Sequence, residues 1–206
     1  MTLRGVDWAV VLGGSAIGTA ILAGCVAFAN DGPPLPQVRL ALVALAAAAA
    51  FVLDEPAAGA VDAVPNTRRR RTAARTTAIA LPLAVWILGV LALEQRNAVT
   101  PAGALLVEGA GVLAVAMAVA AVLRLVGRAE PGEIVASVLG ATMLGVIIFN
   151  PPPHSVPIFP IDDGWAPSTT LWTCLAVAAT ILVTAASGDP YRRRVQADQL
   201  FTSGRP

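Results

Sequence analysis

Apolar positions in this chain come in long unbroken runs, divided by short polar breaks. Neither the alternation of a half-buried strand nor the stripe of an amphipathic helix describes them. Six runs stand out, at residues 8–28, 38–53, 78–93, 102–123, 134–149 and 169–186. A helix that is apolar on every side is buried in a large core or surrounded by lipid, and a membrane span needs about 20 such residues, with a range of roughly 17–25. The second, third and fifth runs are short for a span. Their flanks extend them, or they sit less tilted beside thinner bilayer. The breaks "NDGPPLPQ", "NAVTPAG", "GRAEPGE" and "NPPPHSVPIFPIDDGWAPSTT" are rich in Pro, Gly, Asn and Asp, which favour turns.

Composition turns this pattern into a fold class. Hydrophobic residues make up 56% of the 206, and charged residues only 13%, about half the usual ~25% of soluble domains. So few polar groups cannot cover six apolar helices in water. The expected fold is all-α: a polytopic membrane bundle of about six transmembrane helices, one transmembrane domain over residues 1–206. No polar leader with a cleavage site precedes the first run, so it reads as a retained helix. Its "GSAIG" places Gly14 and Gly18 on one face, the small-xxx-small spacing that lets backbones approach. Gly140 and Gly145 match that spacing less well.

Charge gives orientation. All 14 basic residues are arginine. With the N-terminus in the cytoplasm, every arginine except Arg39 and Arg96 falls on the inner side, as arginines in membrane proteins do. Six spans then put both termini in the cytoplasm, in a cell inner (plasma) membrane crossed several times. The cluster Arg68, Arg69, Arg70, Arg71 and Arg75 reads as a topology signal with a second role at anionic lipid headgroups. A nucleic-acid arm does not fit, because the net charge of the chain is only +1. Nucleic acid is therefore not an expected partner, and the lipid bilayer is. The connection between the second and third runs holds more. Asp54, Glu55 and Pro56 open it, a small-residue stretch at residues 57–64 can form a helical turn or two, and the arginines close it. It is either a solvated loop or a docking element for a soluble partner.

The residues exclude much chemistry. Without lysine there is no Walker A loop and no Schiff base. A single histidine, His154, excludes paired-histidine metal or haem sites, and Cys25 and Cys174 form no CxxC. No catalytic constellation is visible, no cofactor is expected, and the chain reads as no enzyme. Glu108 is the one carboxylate inside a run. It is either a functional intramembrane group, with Arg39 or Arg96 as partner, or a residue at the wet interface. The long break at residues 150–170 carries six prolines together with His154, Asp162, Asp163 and Trp165. With Phe159, Ile161 and Trp172 it suits an interfacial outer lid. One histidine beside two adjacent aspartates is weak as a metal site. Cys25 and Cys174 both fall in outer halves of spans, either bridged or, as more commonly found, packed as free thiols.

Three stretches carry a resemblance: "FVLDEPAAGAVDAVPNTRRRR" between the second and third runs, the "RAEPGE" turn, and "SGDPYRRR" after the sixth run. Together they resemble small six-span membrane proteins of actinobacteria associated with ABC-type transport systems. The resemblance implies a permease-type membrane subunit whose ATPase is a separate chain. It implies no particular site residue. A non-transport scaffold or accessory subunit, and a small secondary carrier using Glu108, are the other expectations.

Overall fold

Proline and glycine set the helix boundaries. A computed structural model describes residues 7–29, 35–54, 75–99, 101–128, 130–149, 158–160 and 164–187. The long helices among these residues are α1 (Trp8–Ala27), α2 (Leu35–Phe51), α3 (Ala80–Gln95), α4 (Ala102–Leu125), α5 (Pro131–Phe149) and α6 (Trp165–Ala186), with a 3-10 turn (Thr77–Ile79) leading into α3. Among the described residues there is no strand. Pro36, Pro82, Pro131 and Pro167 sit in first turns, where the missing N–H costs nothing. α1 starts on Asp7, whose Oδ1 accepts from the backbone N–H groups of Ala9 and Val10.

Two helices end in the same way. Gly127 after α4 has φ +89° and Asn97 after α3 has φ 54°. Arg128 N–H then donates to Leu123 O and Gly127 N–H to Arg124 O, while Ala98 N–H donates to Leu93 O and Asn97 N–H to Glu94 O. Both are left-handed caps that satisfy the last carbonyls, and they explain why the Gly- and Asn-containing breaks stop their helices.

Each helix coincides with one apolar run. α1, the α3 segment, α4 and α6 are long and apolar enough to cross a membrane, while α2 has 17 residues. The sequence pattern misplaces three starts. α2 begins at Leu35 rather than 38, α5 at Pro131 rather than 134 and α6 at Trp165 rather than 169, because the stretches around Pro36, Pro131 and Pro167 resemble breaks although these prolines belong to first turns.

α2 and α4 form the centre. α2 packs on α1, α3, α4 and α5, and α4 packs on α2, α3, α5 and α6. Their buried faces are built from alanine and glycine with a few leucines, which allows close approach without a hydrophobic driving force from lipid. The Gly14/Gly18 face of α1 is used in this way. A Cβ on Gly18 would lie 2.7 Å from Leu45, and one on Gly14 2.9 Å from Ala48, so the small-residue spacing serves packing within the chain. Gly140 and Gly145 have nothing within 4 Å of a Cβ position. The peripheral helices turn large apolar side chains outward: Leu12 and Ile17 on α1, Leu88 on α3, Val177 and Ile181 on α6. An outward surface this apolar is compatible with a membrane protein.

Candidate functional site: two buried carboxylates at opposite ends of the bundle

Arg39 lies in the second turn of α2 and Glu108 in the second turn of α4, so the packing of α2 on α4 brings them to one end. Glu108 is 1% exposed and Arg39 5%. Their contact is bidentate: Arg39 Nε donates to Glu108 Oε1 at 2.9 Å and Nη2 to Oε2 at 3.2 Å. This fork geometry is the strong form of an ion pair. Of the two arginines the sequence offered, the partner is Arg39; Arg96 is exposed beyond the end of α3. Glu108 is enclosed by the bundle.

The remaining guanidinium donors reach into the long break before α6. Arg39 Nη2 donates to Pro160 O at 2.6 Å and Nη1 to Phe159 O at 3.4 Å. The guanidinium carbon also lies 5.2 Å from the Phe159 ring centroid and 6.0 Å from that of Trp165, within cation–π range. The next carbonyl back, Ile158 O, accepts from Trp172 Nε1 at 2.9 Å and from Ser168 Oγ at 3.3 Å. Phe159 stacks obliquely on Trp172, with centroids 5.6 Å apart. Of the aromatic residues expected in the lid, Phe159 and Trp165 therefore flank Arg39, and Trp172 packs on Phe159. His154, Asp162, Asp163 and Ile161 lie outside the described residues.

At the other end, Asp54 follows α2 and is 5% exposed. Its Oδ1 accepts the Gly132 N–H at 2.7 Å. Gly132 is the second residue of α5, so Asp54 caps that helix from a distant part of the chain and places negative charge at its positive end. A Cβ on Gly132 would lie 2.8 Å from Asp54 Oδ2 and 2.6 Å from Phe51; only glycine permits this approach. Arg75 is also buried, and its Nη1 donates to Asp54 O at 3.4 Å. Burial pushes the Asp54 carboxyl up to about 6, together with the nearby charges of Glu130 and Asp7; the Gly132 N–H bond and Arg124 act against this. Val11, Val52 and Ala78 form a small apolar cluster at the same end.

Asp54 and Arg75 were expected in a docking or topology segment. Both are turned into the bundle and present no free surface to a partner. Glu55, Pro56, Arg68, Arg69, Arg70, Arg71 and residues 57–64 lie outside the described residues. Along the first turns of α5, an open groove of about 630 Å³ is lined by Arg128, Glu130, Glu133, Ile134, Ser137 and Val138. Cys25 is buried and Cys174 exposed, and both are free thiols, so the disulfide alternative does not hold. No group of three or more potential metal ligands occurs among the described residues.

Sequence reasoning missed the Asp54–Gly132 contact and the carbonyls of Ile158, Phe159 and Pro160. Backbone groups carry no sequence signature of their own. The nearest signals were "PGE" at the start of α5 and the proline-flanked "PIFP". No protein-family model, curated protein or solved structure matches the chain.

Proposed function

We propose that the protein is a six-span subunit of a transport system in the plasma membrane, with both termini cytoplasmic, working beside a separate ATPase or a second permease chain. The Asp54 end then faces the cytoplasm and the Arg39 end faces outward, in line with the distribution of arginines. The observation that carries the partnership is the closure of the Arg39–Glu108 pair. Both carboxylate oxygens are engaged by one guanidinium, whose Nη1 and Nη2 also donate to the carbonyls of Phe159 and Pro160. Such a glutamate is a poor shuttle for a coupled ion, so a self-sufficient carrier built on Glu108 is disfavoured. The α2–α4 centre is filled by short side chains, which supports a rigid subunit moved by another chain. In this reading the protein is no enzyme itself, and nucleotide hydrolysis belongs to the partner. The same rigidity supports a scaffold or accessory subunit as the second reading.

Purification of the full chain from its native membranes in mild detergent tests the reading. An ATPase or permease chain is expected to co-purify. Replacing residues 57–64 by a Gly/Ser linker is expected to abolish that co-purification without affecting insertion. Reporters fused at Ser155 and at Pro206 are expected on opposite sides of the membrane. Stable complexes without nucleotide-dependent behaviour favour the scaffold, and ion-coupled flux by the purified chain alone overturns both readings.

A further inference from the structure

We propose that residues 158–160 are a strap that holds the Arg39 end closed, with Arg39 as its latch and Glu108 as the positioning residue that keeps the latch engaged. The case rests on what each strap atom touches. Three consecutive carbonyls, those of Ile158, Phe159 and Pro160, all accept hydrogen bonds from side chains. The donors come from two helices that otherwise meet mainly through α4: Arg39 from α2, and Ser168 and Trp172 from α6. The third helix of the centre, α4, supplies Glu108. The strap is thus a tie between α2 and α6, tensioned from α4.

Glu108 makes no hydrogen bond to the strap. Its two oxygens bind Nε and Nη2 of Arg39, which fixes the guanidinium plane. Nη1 and the second proton of Nη2 are left directed at Phe159 O and Pro160 O. An unpaired arginine has many rotamers to choose among, and a planar fork held on one side has few. The rings of Phe159 and Trp165 add a second hold on the same cation. Pro160 is buried under these contacts although Ile158, two residues away, is exposed.

α6 makes the tie consequential. Along its length it buries only Ser168, Trp172, Ala179 and Ala186, and its substantial helix contact is with α4. Trp172 joins the two systems. Its indole N–H holds the strap, while its ring and backbone press on Gly111 of α4, so closely that a Cβ there would come within 2.8 Å of it. Release of the strap frees Trp172 from its hydrogen bond and loosens the α4–α6 seam at the Arg39 end. The closed state seen here is one position of a device that opens when Arg39 leaves the carbonyls.

The test uses the full chain in mild detergent, with Cys25→Ala and Cys174→Ser as background and a reporter Pro160→Cys. The rate of maleimide labelling is read with and without latch changes, so orientation in a membrane does not enter. The reporter is expected to be protected in the otherwise unchanged chain. Arg39→Met and Glu108→Gln are each expected to raise its labelling tenfold or more. Arg39→Lys, which keeps the charge and loses the fork, and Trp172→Phe, which keeps the ring and loses the N–H, are expected to raise it less. A second reporter, Val52→Cys, buried at the opposite end, is expected to stay protected throughout. Equal protection of position 160 in all four variants overturns the strap. Exposure with Arg39→Met but not with Glu108→Gln overturns the positioning role. If Arg39→Met also exposes position 52, it has unfolded the bundle. Arg39→Lys and Trp172→Phe then decide, and unchanged labelling in both sinks the proposal.

Discussion

Among the described residues, each end of this bundle buries one carboxylate, and the two ends neutralise it by different means. Glu108, seven residues into α4, is held by a guanidinium through two hydrogen bonds. Asp54, just beyond α2, is held by a backbone N–H at the first turn of α5. The difference follows from depth. An anion enclosed among helices meets a low dielectric and needs a full counter-charge, and one enclosed in a membrane needs it all the more. An anion beside a helix terminus, with charged side chains around it, is served by partial charges. The Arg39 end is therefore all-or-none: removing either partner strands the other. The Asp54 end is graded, since several weak terms act on one carboxyl.

The largest effect that distinguishes the ends is predicted for the pair. Arg39→Met leaves Glu108 uncompensated and is expected to cost about 3–5 kcal/mol of unfolding free energy, as is typical when one member of a buried pair is removed. Replacing both, Arg39→Met with Glu108→Leu, is expected to recover most of that loss, because two apolar side chains strand no charge. Unfolding titrations in detergent provide the numbers. If the double variant is as unstable as the sum of the singles, the pair is not a closed unit and the contrast between the ends fails.

A smaller effect is expected at the other end from shape alone. Gly132→Ala places a methyl where Phe51 and Asp54 Oδ2 already lie. Overpacking of this kind costs about 1–3 kcal/mol, even though alanine is the better helix former. Asp54→Ala in the same chain is expected to recover part of the loss by clearing the carboxylate. Were Gly132→Ala to stabilise the protein, the close approach of α2's end to α5 would not exist.

How much of this was legible differs between the ends for the same physical reason. Glu108 announced itself as the one carboxylate within an apolar run, and topology left only Arg39 and Arg96 as partners on its side. Choosing between them required knowing that α2 and α4 pack together, which six uniformly apolar helices do not disclose. Asp54 sits in the stretch "VLDEP" and reads there as the start of a solvated loop or of a docking element. Its partner is a peptide N–H, invisible in sequence, and its burial depends on a glycine 78 positions later. The helices themselves were legible as apolar runs. Their starts were not where proline lies in a first turn, because the same residue also marks a loop. The lid aromatics were recognisable by type, and the carbonyls that Arg39 grips were not.

The smallest expected effect is a pH dependence confined to the Asp54 end. The Asp54 carboxyl is raised from 3.8 to about 6, chiefly by burial, with Glu130 and Asp7 adding to the rise and the Gly132 N–H and Arg124 opposing it. A carboxyl whose folded value exceeds its unfolded value binds its proton more tightly when folded. Its stabilising share is complete below about pH 3.8, declines as the pH rises, and is gone once the pH has passed 6. The neighbouring charged side chains and the solvent at this end screen the effect, so a change of about 1 kcal/mol is expected rather than the full value of the shift. Asp54→Asn retains an oxygen that accepts the Gly132 N–H but does not titrate. Unfolding midpoints measured between pH 4 and pH 7 are therefore expected to fall more with rising pH in the parent chain than in Asp54→Asn. The cap itself survives in both, because the amide oxygen occupies the place of Oδ1. Parallel pH profiles for the two chains would show that the Asp54 carboxyl is hydrated, and the graded neutralisation assigned to this end would fail.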